Sequence, residues 1–148
     1  MKTERTALNT VLDLALARTI LVRDVDASGA AHHGLGVSDL ALLLELASAR
    51  DGRMRRVEIA KRLGVTTSGV ARQLGPLERI GVVAREASPG DARLANVVLT
   101  PAGAELAKNA QRTANEAANR VVARIWSEPE QAQLAKLVAQ ARNAEGIA

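Results

Sequence analysis

Apolar residues recur at helical spacing at both ends of this chain and through its middle. Over residues 4–25, Leu8, Val11, Leu12, Ala15, Leu16 and Val22 repeat every three or four positions, which predicts a long amphipathic helix. Over residues 57–63, Val57, Ile59, Ala60 and Leu63 form a shorter stripe of the same kind, followed by Gly64. A glycine directly after a helical run suits the left-handed residue that ends many helices. Val65 is placed to plug the turn, and Thr66 can cap a second helix, because its hydroxyl can accept an otherwise unpaired backbone N–H. Val70, Leu74, Leu77 and Ile80 then mark that helix's expected buried face, and Gly81 its end.

The period changes next. Residues 82–88 and 94–100 carry valines and leucines with strand propensity, joined by Pro89-Gly90-Asp91-Ala92-Arg93. Pro-Gly-Asp is a turn signal, so this part predicts a two-stranded hairpin. Residues 102–126 return to helical spacing through Leu106, Ala110, Thr113, Ala117, Val121 and Ile125. Ser127 and Glu130 then form a capping box ahead of Leu134, Leu137 and Val138. A helix, tight turn, helix and hairpin in unbroken order describe a helix-turn-helix with a wing. The predicted fold is mainly α with a small β wing, an α+β winged helix.

This order places the second helix where it can enter a major groove and the hairpin where it can reach an adjacent minor groove. The outer positions of that helix are Thr66, Thr67, Ser68, Gly69, Ala71, Arg72 and Gln73. Small residues permit close approach of the helix, and Thr, Ser, Gln and Arg can bond to base edges or phosphates. On the hairpin, Arg93 suits the negative potential of a narrow minor groove, and Asp91 can hold its direction. The DNA-binding candidates are therefore Thr66, Thr67, Ser68, Gly69, Arg72, Gln73, Asp91 and Arg93. The bland alternative is a solvated helix face.

These residues also resemble a known family. Asp91-Ala92-Arg93 at the wing, Leu99-Thr100-Pro101-Ala102-Gly103 after it, and residues 77–85 before it resemble the MarR (multiple antibiotic resistance regulator) family of bacterial winged-helix transcription factors. The resemblance implies a six-helix architecture over residues 1–148, with a DNA-binding lobe at 37–100 and dimerisation helices from both termini at 3–26 and 102–145. It also implies a small anionic or aromatic effector bound between the dimerisation helices and the lobe, loosening DNA binding. Arg18, Arg23, His32 and His33 are the polar residues nearest that region in sequence. The chain departs from the family pattern in three places. Ala92 stands where arginine is common, Gly75-Pro76 interrupts the second helix and is expected to kink it, and Arg55-Arg56 stand where a capping Ser, Thr or Asp is expected.

Composition narrows the chemistry. The 148 residues suffice for one domain with a real core. With Trp126 the sole aromatic residue, that core must be aliphatic, and Trp126 itself is expected to pack in it. Ten Lys/Arg against five Asp/Glu fall within residues 50–93, a surplus of +5 on a chain of net charge +4. A basic module on a nearly neutral body is the electrostatic footprint of a DNA reader. The alanine-rich run at 102–123 favours close helix–helix approach and suggests a dimer interface; the alternative is a monomer whose end helices pack only on each other. Two-fold symmetry would then match an inverted-repeat operator.

Other chemistries find little support. The chain contains no cysteine, which removes thiol redox sensing and disulfides. His32 and His33 are the only imidazoles. With Asp24 and Asp26 they could be read as a metal site, but the set is poor for zinc, and exposed loop histidines are the simpler reading. No metal or cofactor is predicted. No phosphate-cradling loop, metal helix or nucleophile elbow is present, so no enzyme is predicted. Charged residues interrupt the early apolar stretch, and a soluble cytoplasmic protein is expected. The predicted function is a ligand-responsive homodimeric repressor of double-stranded DNA. The alternative is a winged-helix protein–protein module.

Overall fold

The structure is a computed structural model that describes residues 6–88 and 91–144. Six helices surround a three-stranded antiparallel sheet, in the order α1 (Ala7–Ala27), α2 (Val37–Ser48), β1 (Arg53–Arg55), α3 (Arg56–Leu63), α4 (Thr67–Arg79), β2 (Val83–Ser88), β3 (Asp91–Leu99), α5 (Pro101–Ala123) and α6 (Glu128–Asn143), with a 3-10 turn at Ala30–His33. This is the expected α+β winged helix, with one strand more than the hairpin.

Local chemistry accounts for the boundaries. Thr6, Thr66 and Thr100 each cap a helix by accepting the N–H three residues on, from Asn9, Gly69 and Gly103. Gly64 and Gly81 close α3 and α4 with φ of +64° and +76°. In each case the next residue bonds back into the last turn, Val65 N–H to the Ala60 carbonyl and Val82 N–H to that of Leu77. Ahead of α6, the Ser127 hydroxyl and backbone N–H both donate to Glu130. Those bonds hold the Glu130 carboxylate below its usual value. The cap is therefore intact above the ordinary carboxylate range and is lost as pH falls through the lowered value.

The core is aliphatic, as the composition requires. Leu42, Leu43 and Leu46 of α2 sit at its centre, with Ile59, Val70, Leu74, Val83 and Val97 from the lobe and Val121 from α5. Trp126 lies outside this cluster and is half-buried. The alanine stripe of α5 does not serve as expected. Ala107, Ala110, Ala114 and Ala117 are buried inside the protomer, on a helix that packs against α1, α2 and the 3-10 turn. Small side chains let α5 sit close to these elements. The apolar faces left uncovered belong instead to α1 and α6.

Three further positions differ from expectation. Val57 is 69% exposed and Ile80 60% exposed, and Val65 is also exposed rather than plugging its turn. Val57 is in the first turn of α3, Val65 in the turn between α3 and α4, and Ile80 just past the end of α4. The wing joins differently as well. Strand order is β1-β3-β2, and β3 begins at Asp91, whose backbone pairs with Ser88. Asp91, Ala92 and Arg93 thus belong to a strand, not to a five-residue loop. Helix α4 runs unbroken from Thr67 to Arg79, with Pro76 in its last turn. Proline has no N–H to give to Arg72, so the lost bond falls late in the helix.

Candidate nucleic-acid interface

The recognition helix is anchored by its apolar side and presents its start outward. Val70, Leu74 and Leu77 are buried, which turns Thr67, Ser68 and Arg72 to solvent. Thr66 and Gly69 act together at the helix start. The Thr66 hydroxyl accepts the Gly69 N–H at 3.0 Å, and a Cβ on Gly69 would lie only 3.2 Å from that oxygen. Thr67, Ser68 and Arg72 therefore share one exposed patch with two hydroxyls and one guanidinium, all able to bond to phosphates or base edges.

Gln73 is placed otherwise. Its side-chain amide donates to the Ser38 carbonyl at 2.7 Å and to Asp39 Oδ1 at 3.2 Å. Both acceptors belong to the first turn of α2. The expected outward, base-reading Gln73 is thus turned inward, because the start of α2 offers two acceptors within reach. The same turn is tied to α1, since Asp26 Oδ1 accepts the Val37 N–H at 2.8 Å. Gln73 therefore fixes the recognition helix to α2, and through it to α1. Gln73→Ala and Asp39→Ala should each weaken DNA binding, and the double variant should lose less than the two effects added, with a coupling of about 0.5–3 kcal/mol. Additive losses in a binding titration would show that Gln73 acts on DNA independently of Asp39.

The side chains of His32, Asp91 and Arg93 lie outside the described part of the structure, as do Pro89 and Gly90. His33 is half-buried rather than exposed, and its Nε2 lies 3.1 Å from Thr113 Oγ1 of α5. Arg120 of α5 also donates to the Ser28 carbonyl at 2.9 Å. These two contacts fasten the segment after α1 to α5, which is a structural use for His33. Arg23 is exposed and pairs with its neighbour Asp24 at 3.0 Å. Among the described residues, no cluster of three metal-ligating side chains occurs.

Among the described effector candidates, Arg18, Arg23 and His33, only Arg18 lines a large cleft. This cleft, of about 810 Å³, lies between α1, α2, the α3–α4 turn and the end of α6. Its charged lining is Arg18, Lys61, Arg62 and Arg142 against the single carboxylate of Glu45. Glu45 is held by Arg62 at 3.6 Å and by Arg142. Gln73 and Gly69 form part of the wall, so the cleft touches the contact that fixes the recognition helix. Sequence reading missed Glu45 and Arg142. They stand 97 residues apart, and no local pattern joins them.

Comparison with known proteins bears directly on this arrangement. Residues 33–94 match the sequence model of the MarR family. The winged-helix core of this chain is thus similar to the MarR family. Solved MarR-family structures share the fold from end to end. Sco3205, a MarR family transcriptional regulator from Streptomyces coelicolor solved in complex with DNA, is 24% identical with a TM-score of 0.77, covering 99% of this chain and 94% of that one. Rv2887, a MarR family protein of Mycobacterium tuberculosis solved with salicylic acid, is 25% identical with a TM-score of 0.68, covering 95% and 99%. MarR of E. coli, in its apo form, is 20% identical with a TM-score of 0.72, covering 93% and 98%. Curated protein sequences gave no match. This chain shares the fold of those solved structures. Among its described residues no helix is long and apolar enough to cross a membrane.

Proposed function

We propose that this protein is a homodimeric, sequence-specific repressor whose grip on an inverted-repeat operator is loosened by a small anionic effector. The observation that carries the reading is the outward patch of Thr67, Ser68 and Arg72 on a helix flanked by a wing. A protein-docking face would more often display large apolar anchors, and the start of α4 has none. The exposed apolar faces of α1 and α6 support a second copy as partner. A dimer seated on an operator covers DNA that polymerase would otherwise occupy, so repression by occupancy is the simpler outcome.

The effector reading rests on the cleft beside Gln73. Its cationic excess suits a carboxylate or another small anion. A molecule seated there would lean on the wall that holds α4, and the DNA complex and the effector complex would then favour different settings of that helix. Rv2887 was solved with salicylic acid, which is a small anion of this kind. Selection from random duplexes tests the DNA reading. Enriched sites should be imperfect inverted repeats with half-site centres about one helical turn, 10–10.5 bp, apart. Recovery of single, non-palindromic half-sites would contradict the dimeric operator.

A further inference from the structure

Between the recognition helix and the wing lies a second concavity, of about 400 Å³. Arg55, Arg56 and Lys61 line it, together with Glu58, Thr67 at the start of α4 and Ala95 of β3. Its charge is not internally balanced. Among the described residues, Arg55, Arg56 and Lys61 pair with no carboxylate, whereas Glu58 is already held by Arg62 at 3.0 Å. The neighbouring arginines behave differently. Arg53 is paired with Glu86 at 2.7 Å and Arg85 with Glu78 at 2.6 Å. Unpaired cations thus line the hollow, while Arg53 and Arg85 beside it are matched.

The position of the hollow gives those cations a use. On a B-DNA duplex one sugar-phosphate strand separates the major groove from the adjacent minor groove. With α4 in the former and the β2–β3 ribbon at the latter, that strand must cross the space between them. That space is the hollow. Arg55 also stands at the N-cap of α3 with no side-chain bond to the first turn. An arginine there cannot cap the helix, but it can reach an anion in front of it. This gives the Arg55-Arg56 departure from a capping residue a physical reason.

We infer that the Arg55–Arg56–Lys61 hollow is a phosphate seat for the DNA strand running between the recognition helix and the wing. The inference rests on the DNA-reading function proposed above. The seat takes phosphodiester oxygens and no base edge, so it adds affinity and fixes register without adding sequence preference.

Salt titration tests it. Wild type, Arg55→Gln, Arg56→Gln and Arg55→Lys are titrated against the selected operator and against a random duplex of equal length over a range of KCl. Neutralising one phosphate contact should lower the slope of log K against log salt by about 0.9, hence about 1.8 per dimer. Operator and random duplex should lose affinity by the same factor, and Arg55→Lys should keep the wild-type slope. Arg55 is exposed, so Arg55→Gln carries the test even if the half-buried Arg56 proves sensitive to substitution. An unchanged slope in Arg55→Gln, with wild type binding normally, overturns the seat but leaves the DNA-reading function standing. A changed ratio between operator and random duplex overturns it too, since it would mean a base contact. Absence of DNA binding by wild type overturns both readings.

Discussion

Replacing Leu12 and Leu16 together with glutamate should yield a folded monomer that has lost operator affinity by about 10²–10⁴-fold. Leu8, Leu12, Leu16 and Ile20 follow one another at four-residue spacing along α1, and all four are between 48% and 65% exposed. Leu137 and Val138 add a second uncovered apolar strip on α6. Fully burying one such side chain is worth about 1.5–3 kcal/mol, so leaving these two faces in water forgoes a large gain. A partner of the same shape recovers it. Glutamate at two central positions places charges in that contact, where unpaired burial is strongly disfavoured. The same positions face away from the protomer's own core, so the fold should persist. The loss of DNA affinity follows because a dimer binds its second half-site intramolecularly, and a monomer cannot. Analytical ultracentrifugation reads the first effect against the 15.6 kDa chain, and operator titration reads the second. A variant that still sediments as a dimer would remove α1 from the interface.

Gly103→Ala should cost at least about 1–3 kcal/mol of stability, the usual range for overpacking. A Cβ at this position would overlap the Val82 carbonyl oxygen and lie 2.9 Å from Leu99 Cδ1. The first contact is with backbone, which cannot swing aside. That backbone is also pinned. Val82 accepts the Thr100 N–H at 3.1 Å, and the Thr100 hydroxyl donates to the Gly81 carbonyl at 2.7 Å. Relief would have to come from pushing α5 off the junction between the recognition helix and the wing. For a chain of this length each kcal/mol lowers Tm by about 2–4 °C. Thermal melting checks the expectation, and an unaltered Tm would mean that α5 does not approach the junction this closely. The Leu-Thr-Pro-Ala-Gly segment was legible as a helix start, but nothing in the sequence showed that its glycine is required by a neighbouring carbonyl.

That example marks the limit of what the chain discloses before it folds. Helical periodicity, the threonine caps and the two helix-ending glycines are local, and they located α3, α4, α5 and the start of α6 to within a few residues. Strand β1 was not legible. It has three residues, too few for an alternating pattern, and it exists because Met54 pairs with Val97 more than forty positions later. Periodicity also names a face without saying what covers it, and Val57 and Ile80, placed on buried faces, are exposed. The alanine face of α5 was correctly seen as a close-packing surface, but its partners were the protomer's own α1, α2 and 3-10 turn. Within the interface, the outward Thr67, Ser68 and Arg72 followed from the buried stripe of α4. Gln73 did not, because whether a side chain at the edge of that stripe turns out or in depends on acceptors 34 and 35 residues away.

Anisotropy titration of wild type and Arg72→Ala, each against the selected operator and a random duplex at two salt concentrations, tests the central claim that α4 reads DNA sequence. Wild type should prefer the operator, and the preference should survive the higher salt. Arg72→Ala should lose about 1–3 kcal/mol of operator binding if the guanidinium bonds a base in two places, with a smaller loss on the random duplex. Equal binding to both duplexes that disappears as salt rises, unchanged by Arg72→Ala, would mean contact through charge alone and would contradict the account.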